Sequence, residues 1–209
     1  MSTELPQRRR FPQAVRREQL LDVAEDLFVA HGYAAVTMED IARAAGVTRP
    51  LPYNHFGSKE GVYIACVLRA SDAYNATLVA AVDPASDPRD QLRQGADVFF
   101  DMLQNDRGRW MLIFASSSVL PKESAAELGE VRRSTIAAIE LLLRQAAPQA
   151  SAARMAAAAH AVSGVGEQLG LWWLANPSLS KAEVMGHYTE LLWSGLAPYT
   201  QDVAPLLGH

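Results

Sequence analysis

Apolar residues recur every three or four positions along almost the whole chain, which is the spacing of one face of an α-helix. No segment alternates apolar and polar residues in the way that a half-buried β-strand does. Capping and turn-forming residues divide the pattern into helices, predicted at about residues 13–30, 38–44, 49–55, 59–82, 89–105, 109–116, 125–146, 151–174 and 181–196. The pattern therefore predicts an all-α protein.

The pattern also predicts two domains, a small one at residues 1–60 and a larger helical one at residues 61–209. In the first domain, a long helix precedes two short helices joined by a tight turn, which is the arrangement of a helix-turn-helix. Thr37 is the expected N-cap of the first short helix, with Asp40 three residues later as in a capping box. Gly46 permits the turn, and Thr48 is the expected N-cap of the second short helix.

A run of residues around this helix-turn-helix matches a known pattern without a gap. The matching positions are Leu20-Leu21, Ala24, Leu27-Phe28, Gly32-Tyr33, Thr37, Ile41-Ala42, Ala45-Gly46-Val47, Tyr53, His55-Phe56 and Ser58-Lys59-Glu60. The segment from Arg17 to Glu60 thereby resembles the DNA-binding domain of tetracycline-repressor-type (TetR family) regulators. The remaining two-thirds of the chain resembles the family only in length and helical character. The resemblance implies a dimeric regulator that binds double-stranded DNA and responds to a small molecule.

The resemblance also assigns roles to individual side chains. Hydroxyl and basic groups that hold the DNA backbone in the family correspond here to Thr37, Tyr53, His55 and Lys59. Such contacts fix the register of the protein but carry little sequence information. Base edges are expected to be read from the outward face of the recognition helix, by Thr48, Arg49, Leu51 and Asn54. Among these, an arginine suits guanine and an asparagine suits adenine.

One residue departs from the family pattern. Pro52 stands in the recognition helix where the family usually has leucine or another apolar residue. If Thr48 is the N-cap, Pro52 lacks an N–H that the helix would use, and its ring crowds the Thr48 carbonyl. We therefore predict a locally distorted or 3₁₀-like start to this helix.

The formal net charge of −4 argues at first against nucleic acid, but its distribution changes that picture. Residues 1–17 hold five arginines against the single acid Glu4, and the excess of acids lies after residue 60. Arg8, Arg9 and Arg10 resemble the basic arms with which many family members reach the minor groove or follow phosphates. The alternative is that these arginines form a solubilising tail.

Glycine is concentrated in the helix predicted at 151–174. Gly164, Gly166 and Gly170 lie among alanines, and glycine inside a helix costs about 0.5–1 kcal/mol against alanine. Their presence suggests that another backbone comes close. With Tyr188 and Leu192 of the last helix, they are the predicted homodimer interface, which the resemblance implies is a four-helix arrangement. The alternative is a purely internal core.

An effector site is expected in the middle helices, where aromatic and methionine side chains crowd together. The candidate lining residues are Phe99, Met102, Leu103, Trp110, Met111 and Phe114, with His160 and Glu167 as polar contacts. Such a composition suits an apolar or aromatic small molecule. Binding there would shift the spacing of the two DNA-binding heads and change DNA affinity by linkage. By resemblance, a repressor released from a palindromic operator is expected.

Other classes of protein are less well supported by the sequence. The single Cys66 excludes an internal disulfide and a multi-cysteine metal site, and no metal or cofactor is predicted. No catalytic motif is present, although an all-helical enzyme and a protein-interaction or ligand-binding protein without DNA recognition stay as alternatives. No apolar run is long enough to span a bilayer, so a cytoplasmic protein without a membrane partner is expected.

Overall fold

The computed structural model describes residues 12–115 and 125–200. Within these ranges it contains helices and no β-strand, which confirms the predicted all-α class. The helices are α1 (Gln13–Ala35), α2 (Met38–Ala44), α3 (Pro50–Phe56), α4 (Lys59–Ala81), α5 (Pro88–Asn105), α6 (Arg107–Phe114), α7 (Ala125–Ala146), α8 (Ala152–Ala175) and α9 (Lys181–Thr200). Among these helices, none combines the length and the apolar character that crossing a lipid bilayer requires.

The chain divides into two compact units inside α4, and we call them the N-terminal unit, up to Cys66, and the C-terminal unit, from Val67 onward. This division lies six residues beyond the predicted boundary at residue 60. The first turns of α4 pack on α1, because the Tyr63 ring meets Phe28 edge-on at 5.0 Å between centroids. The Cys66 thiol also donates to the Leu21 carbonyl at 3.8 Å. Those turns therefore belong to the N-terminal unit.

The core of the N-terminal unit comes from one face of α1 and the inward side of α2. Leu20, Ala24 and Ile41 are fully buried, and Phe28 is nearly so. Gly32 interrupts α1 with a φ of 75°, a value that side chains disfavour and glycine tolerates. The interruption lies just beyond the predicted helix end at about residue 30, and the chain regains helical geometry up to Ala35.

The C-terminal unit packs α5 to α9 and the rest of α4 around an aromatic core. Phe100 and Trp110 are completely buried, and Phe99 lies edge-on to both rings. Helix α9 is also tied to α5 by Lys181, whose ammonium lies 2.7 Å from Asp97 Oδ1 and 2.9 Å from Asp101 Oδ1. This unit therefore has its own core and its own polar connection between helices.

Four of the five predicted dimer residues lie inside this core, and the interface stays a prediction. Gly166 and Gly170 are buried against side chains of the same chain, and Tyr188 and Leu192 are at most 7% exposed. The close neighbour that Gly170 accommodates is the indole of Trp110, not another backbone. Only Gly164 is exposed with open space beside it, and its place at an interface stays a prediction.

Candidate nucleic-acid interface and effector cavity

The start of α2 is fixed by the capping box that the sequence predicted. The Thr37 hydroxyl accepts from the Asp40 amide at 3.1 Å, and the Thr37 amide donates to Asp40 Oδ2 at 3.0 Å. The hydroxyl also donates to the same carboxylate at 2.6 Å. These hydrogen bonds from Thr37 are the main reason that the pKa of Asp40 lies below its usual value. The Thr37 side chain, although exposed, is therefore already engaged at the helix end.

The turn between α2 and α3 is held by backbone hydrogen bonds. The Val47 amide donates to the Ala42 carbonyl at 2.9 Å, and the Gly46 amide donates to the Arg43 carbonyl at 3.1 Å. Gly46 has a φ of 65°, which is in the left-handed region that favours glycine. The turn thus connects α2 to α3 with its backbone amides bonded to carbonyls of α2.

The recognition helix α3 begins one residue later than predicted. Arg49 is its N-cap and Thr48 makes no side-chain cap, so the prediction of Thr48 as the cap is wrong. Instead, the Leu51 amide donates to the Thr48 carbonyl at 3.0 Å, which is the three-residue spacing of a 3₁₀ turn. Pro52 is thereby the third helical residue, whose amide would have no partner inside the helix. Its ring is fully buried and anchors α3.

The predicted base-reading side chains lie largely on the surface of the N-terminal unit. Thr48, Arg49 and Asn54 are exposed, while Leu51 is half-buried. The Arg49 guanidinium lies 3.9 Å from the Glu39 carboxylate, at the limit of an ion pair. An exposed pair at this distance contributes little, so Arg49 remains available to a ligand. The structure thus presents Leu51 and Asn54 on α3 and Thr48 and Arg49 immediately before it, while the ring of Pro52 is buried.

The predicted backbone-binding residues differ in how freely they are presented. Tyr53 is 44% exposed, whereas His55 and Lys59 are half-buried. The Lys59 ammonium lies 4.2 Å from the centroid of the Tyr33 ring and donates to the Ala34 carbonyl at 3.3 Å. Both contacts hold this cation at the start of α4, where free helix amides also favour an anion.

Two further groups of basic residues bear on this interface. Arg8, Arg9 and Arg10 precede the residues that the structure describes. Arg43, which the sequence reasoning missed, is a further exposed cation on α2 and pairs with Asp40. Its position three residues after an acid on a helix is the sequence signal that indicates such a surface pair.

The C-terminal unit contains a mostly apolar cavity that is partly open to solvent, in which the centre of a water molecule can reach about 90 Å³. Helices α4 to α9 all contribute residues to its wall. Its lining includes Tyr74, Leu78, Val82, Gly95, Phe99, Phe114, Thr135, Ile139, Leu143, Ala146, Met155, Ser163, Gly166, Tyr188 and Trp193. Among the described residues, no acidic or basic side chain lines this space.

The polar groups at the cavity are few and most already have partners. The Thr135 hydroxyl lies 3.5 Å from that of Ser71, and the Tyr188 hydroxyl donates to the Val162 carbonyl at 3.1 Å. Burial raises the pKa of Tyr188, and it raises that of Tyr74, to which the charge of Glu167 adds. Both phenols are therefore neutral hydrogen-bonding groups at any physiological pH.

Few of the residues predicted to contact the effector line this cavity. Phe99 and Phe114 line the cavity, but Met102, Leu103 and Trp110 do not, and the last two are closed core beside Gly170. Met111 and His160 are exposed to solvent and do not line this cavity. Glu167 is buried next to the wall, where its carboxylate accepts from Arg132 and, at 3.0 Å, from Ser163.

The sequence reasoning missed the contribution of α7 to this wall. Thr135, Ile139, Leu142, Leu143 and Ala146 all line the cavity, and they lie on one helical face. Their spacing of three and four residues is the signal that could have identified them. Nothing local, however, distinguishes a face that packs on side chains from one that borders a cavity.

Two family descriptions match the chain in succession. "Bacterial regulatory proteins, tetR family" matches residues 20–66, and "Tetracyclin repressor-like, C-terminal domain" matches residues 88–195. The chain belongs to the TetR family. The TetR-family match thus includes the helix-turn-helix in the first range and much of the cavity wall in the second.

Relatives of known name agree with this assignment. The HTH-type transcriptional activator FasR of Mycolicibacterium smegmatis is 32% identical over 190 residues, covering 90% of this chain and 86% of its own. The HTH-type transcriptional repressor KstR2 of Rhodococcus jostii is 49% identical over 47 residues, or 22% of this chain and 23% of its own. A TetR-like regulator from Rhodococcus sp. RHA1 has a similar crystal structure, with a TM-score of 0.64 and 29% identity. That similarity covers 90% of this chain and 99% of the other. The chain is a ligand-responsive, DNA-binding regulator of transcription.

Proposed function

We propose that this regulator is a repressor that a small apolar effector releases from a palindromic operator. The observation that carries the proposal is the combination of an exposed reading face at α3 with a mostly apolar cavity in the C-terminal unit. Thr48, Arg49, Leu51 and Asn54 read bases, while Thr37, Tyr53, His55 and Lys59 hold phosphates. An effector that favours one state of the protein changes its DNA affinity by linkage.

The proposed regulator acts as a homodimer, because two half-sites of a palindrome require two copies of α3. Apolar side chains on α8 and α9 support this arrangement, since Leu171 and Trp172 are each 42% exposed and Leu191 is 63% exposed. Burying them against a second copy would remove this apolar surface from water. We expect Leu191→Arg to weaken self-association in sedimentation velocity, with exposed Val79→Arg on α4 as control.

DNA recognition is tested by fluorescence anisotropy with DNA flanking the protein's own gene. Arg49→Ala is expected to reduce preference for the specific site, by about 1–3 kcal/mol for a bidentate guanine contact. Exposed Arg144→Ala on α7 is the matched control and is expected to leave binding unchanged. Absence of any sequence-preferring binding at low salt would contradict the proposal and favour a helical protein that binds partners or ligands without DNA recognition.

An activator is the second candidate, because the relative that matches along 90% of the chain is named a transcriptional activator. A promoter fused to a reporter separates the two. Deleting the gene for a repressor raises expression from the bound promoter, and deleting the gene for an activator lowers it. Either role places the protein with the chromosome, so a cytoplasmic location stays a prediction that a fluorescent fusion would test.

A further inference from the structure

The effector cavity is long in one direction. Its lining residues on α4 and immediately after it run from Tyr74 to Val82, which spans about 12 Å at the rise of an α-helix. On α7 they run from Thr135 to Ala146, about 16 Å by the same rise. The cavity therefore follows the helices as a slot, with Thr135 near one end and Ala146 near the other.

The slot is also narrow. The centre of a water molecule can reach about 90 Å³ of this cavity. Dividing that volume by a length of about 12–16 Å gives the space for the water centre a mean cross-section of roughly 6–8 Å². Adding the water radius of about 1.4 Å gives a channel roughly 3 Å in radius. Because non-bonded carbons approach to about 3.5–4 Å, one extended alkyl chain fits this channel and a caged or fused ring system does not.

The two ends of the slot differ in polarity. Thr135, Ser163 and Tyr74 carry hydroxyl groups toward one end. The other end is lined by Val82, Ala146 and further apolar groups, with Gln91 as the polar exception. The amide nitrogen of Gln91 already donates to the Pro84 and Ser86 carbonyls, at 3.3 and 2.8 Å. Thr135 and Ser71 are 3.5 Å apart, a long hydrogen bond that leaves the hydroxyls capacity for a further partner.

A charged ligand group would find no counter-ion in this wall. Among the described residues, no basic or acidic side chain lines the slot. Glu167 lies just behind Gly166 and Ser163, and its carboxylate is already bonded to Arg132 and Ser163. An ammonium group of a ligand would find no unpaired carboxylate there. A ligand carboxylate would be repelled by the charge of Glu167, because the apolar surroundings screen that charge only weakly.

We infer that the effector is an unbranched alkyl compound with one neutral hydrogen-bonding head group, which binds Thr135, and a chain of roughly ten to twelve carbons. With C–C bonds of about 1.5 Å in staggered geometry, such a chain spans roughly 11–14 Å. This inference rests on the proposed function, in which the cavity is the effector site.

The test is isothermal titration of the full chain, without DNA, with the series from 1-hexanol to 1-tetradecanol. Affinity is expected to rise about fourfold per methylene, as apolar transfer predicts, and to stop rising near 1-decanol to 1-dodecanol. 1-Adamantanol, a caged alcohol with as many carbons as 1-decanol, is expected to bind at least tenfold more weakly. A continuous rise without a maximum length, or stronger binding of the cage, would overturn the inferred shape.

Head-group charge is tested by comparing 1-decanol with decanoate and decylammonium. The alcohol is expected to bind at least tenfold more tightly than either ion, and equal binding of decanoate would overturn the neutral head group. Thr135→Val, nearly equal in shape, is expected to lower the affinity for 1-decanol about two- to tenfold. The exposed Thr77→Val, whose hydroxyl bonds the Ala73 carbonyl outside the slot, is the control.

A second variant measures the direction of the chain. Ala146→Leu fills the end away from Thr135 and is expected to move the optimum to alcohols two or three carbons shorter. An unchanged optimum in a folded variant would place the alkyl chain elsewhere and overturn the assignment.

DNA binding is measured separately. A protein that binds 1-decanol but no DNA refutes the proposed function alone, and a protein that binds DNA but no alcohol refutes this inference alone.

Discussion

The three glycines of α8 provide a specific stability prediction, because a Cβ added at each would have different surroundings. A Cβ at Gly170 would lie 2.7 Å from Cζ2 of Trp110, whereas a Cβ at Gly164 meets nothing within 4 Å. In both positions, alanine gains the same helix propensity of about 0.5–1 kcal/mol. At Gly170 the contact is about 1 Å shorter than carbon atoms prefer. The indole is fully buried and rigid, so the ring must move in a close-packed core.

Such overpacking costs about 1–3 kcal/mol, so Gly170→Ala is expected to be less stable than Gly164→Ala by about that amount. Since the propensity gain is common to both variants, their difference isolates the clash. The assay is urea unfolding followed by tryptophan fluorescence, which reports the C-terminal unit because all four tryptophans lie there. Equal stability of the two variants, or a more stable Gly170→Ala, would refute this reasoning.

Three further predictions concern charge. Arg132→Met leaves the buried carboxylate of Glu167 without its cation and is expected to cost about 1–2 kcal/mol in urea unfolding, whereas Arg144→Met, from an exposed pair, costs under about 0.5 kcal/mol. Because the pKa of Asp40 is lowered in the fold, its stabilisation of α2 is complete above the usual value of 3.8 and is lost as pH falls through the lowered pKa. Wild type should therefore exceed Asp40→Asn in thermal stability at neutral pH and lose that advantage in acid, and a constant difference would contradict this. Arg49→Lys should bind non-specific DNA like wild type but discriminate poorly at the guanine position in competition anisotropy, because lysine lacks the bidentate fork.

The fold was predictable where its signals are local. The capping box of Thr37 and Asp40 and the apolar spacing of α1 depend on residues within a few positions of each other, and the structure confirms both. The start of α3 was mistaken for a related reason. Pro50 and Pro52, with one residue between them, favour a late N-cap at Arg49. Thr48 has the residue type of an N-cap, but its side chain makes no capping hydrogen bond.

The effector site was less predictable because it depends on which faces of distant helices meet. Trp110 and Leu103 have the composition of a ligand pocket, yet they pack around Gly170 as solid core. Thr135 lies in a polar-looking stretch of α7, yet it faces the cavity. Glycine in α8 suggested a partner backbone, and the neighbour at Gly170 proved to be an indole of the same chain. Such relations are set by packing between helices, which periodicity alone does not specify.

The central claim is that α3 reads an operator and that the cavity controls this binding. The most direct measurement is a footprint of the full chain on DNA flanking its own gene, made with and without a ligand that titration has shown to bind. A twofold-symmetric protected site, lost with Arg49→Ala and altered when the ligand is added, is the predicted result. Protection that follows no sequence, or that neither the variant nor the ligand changes, would contradict the account.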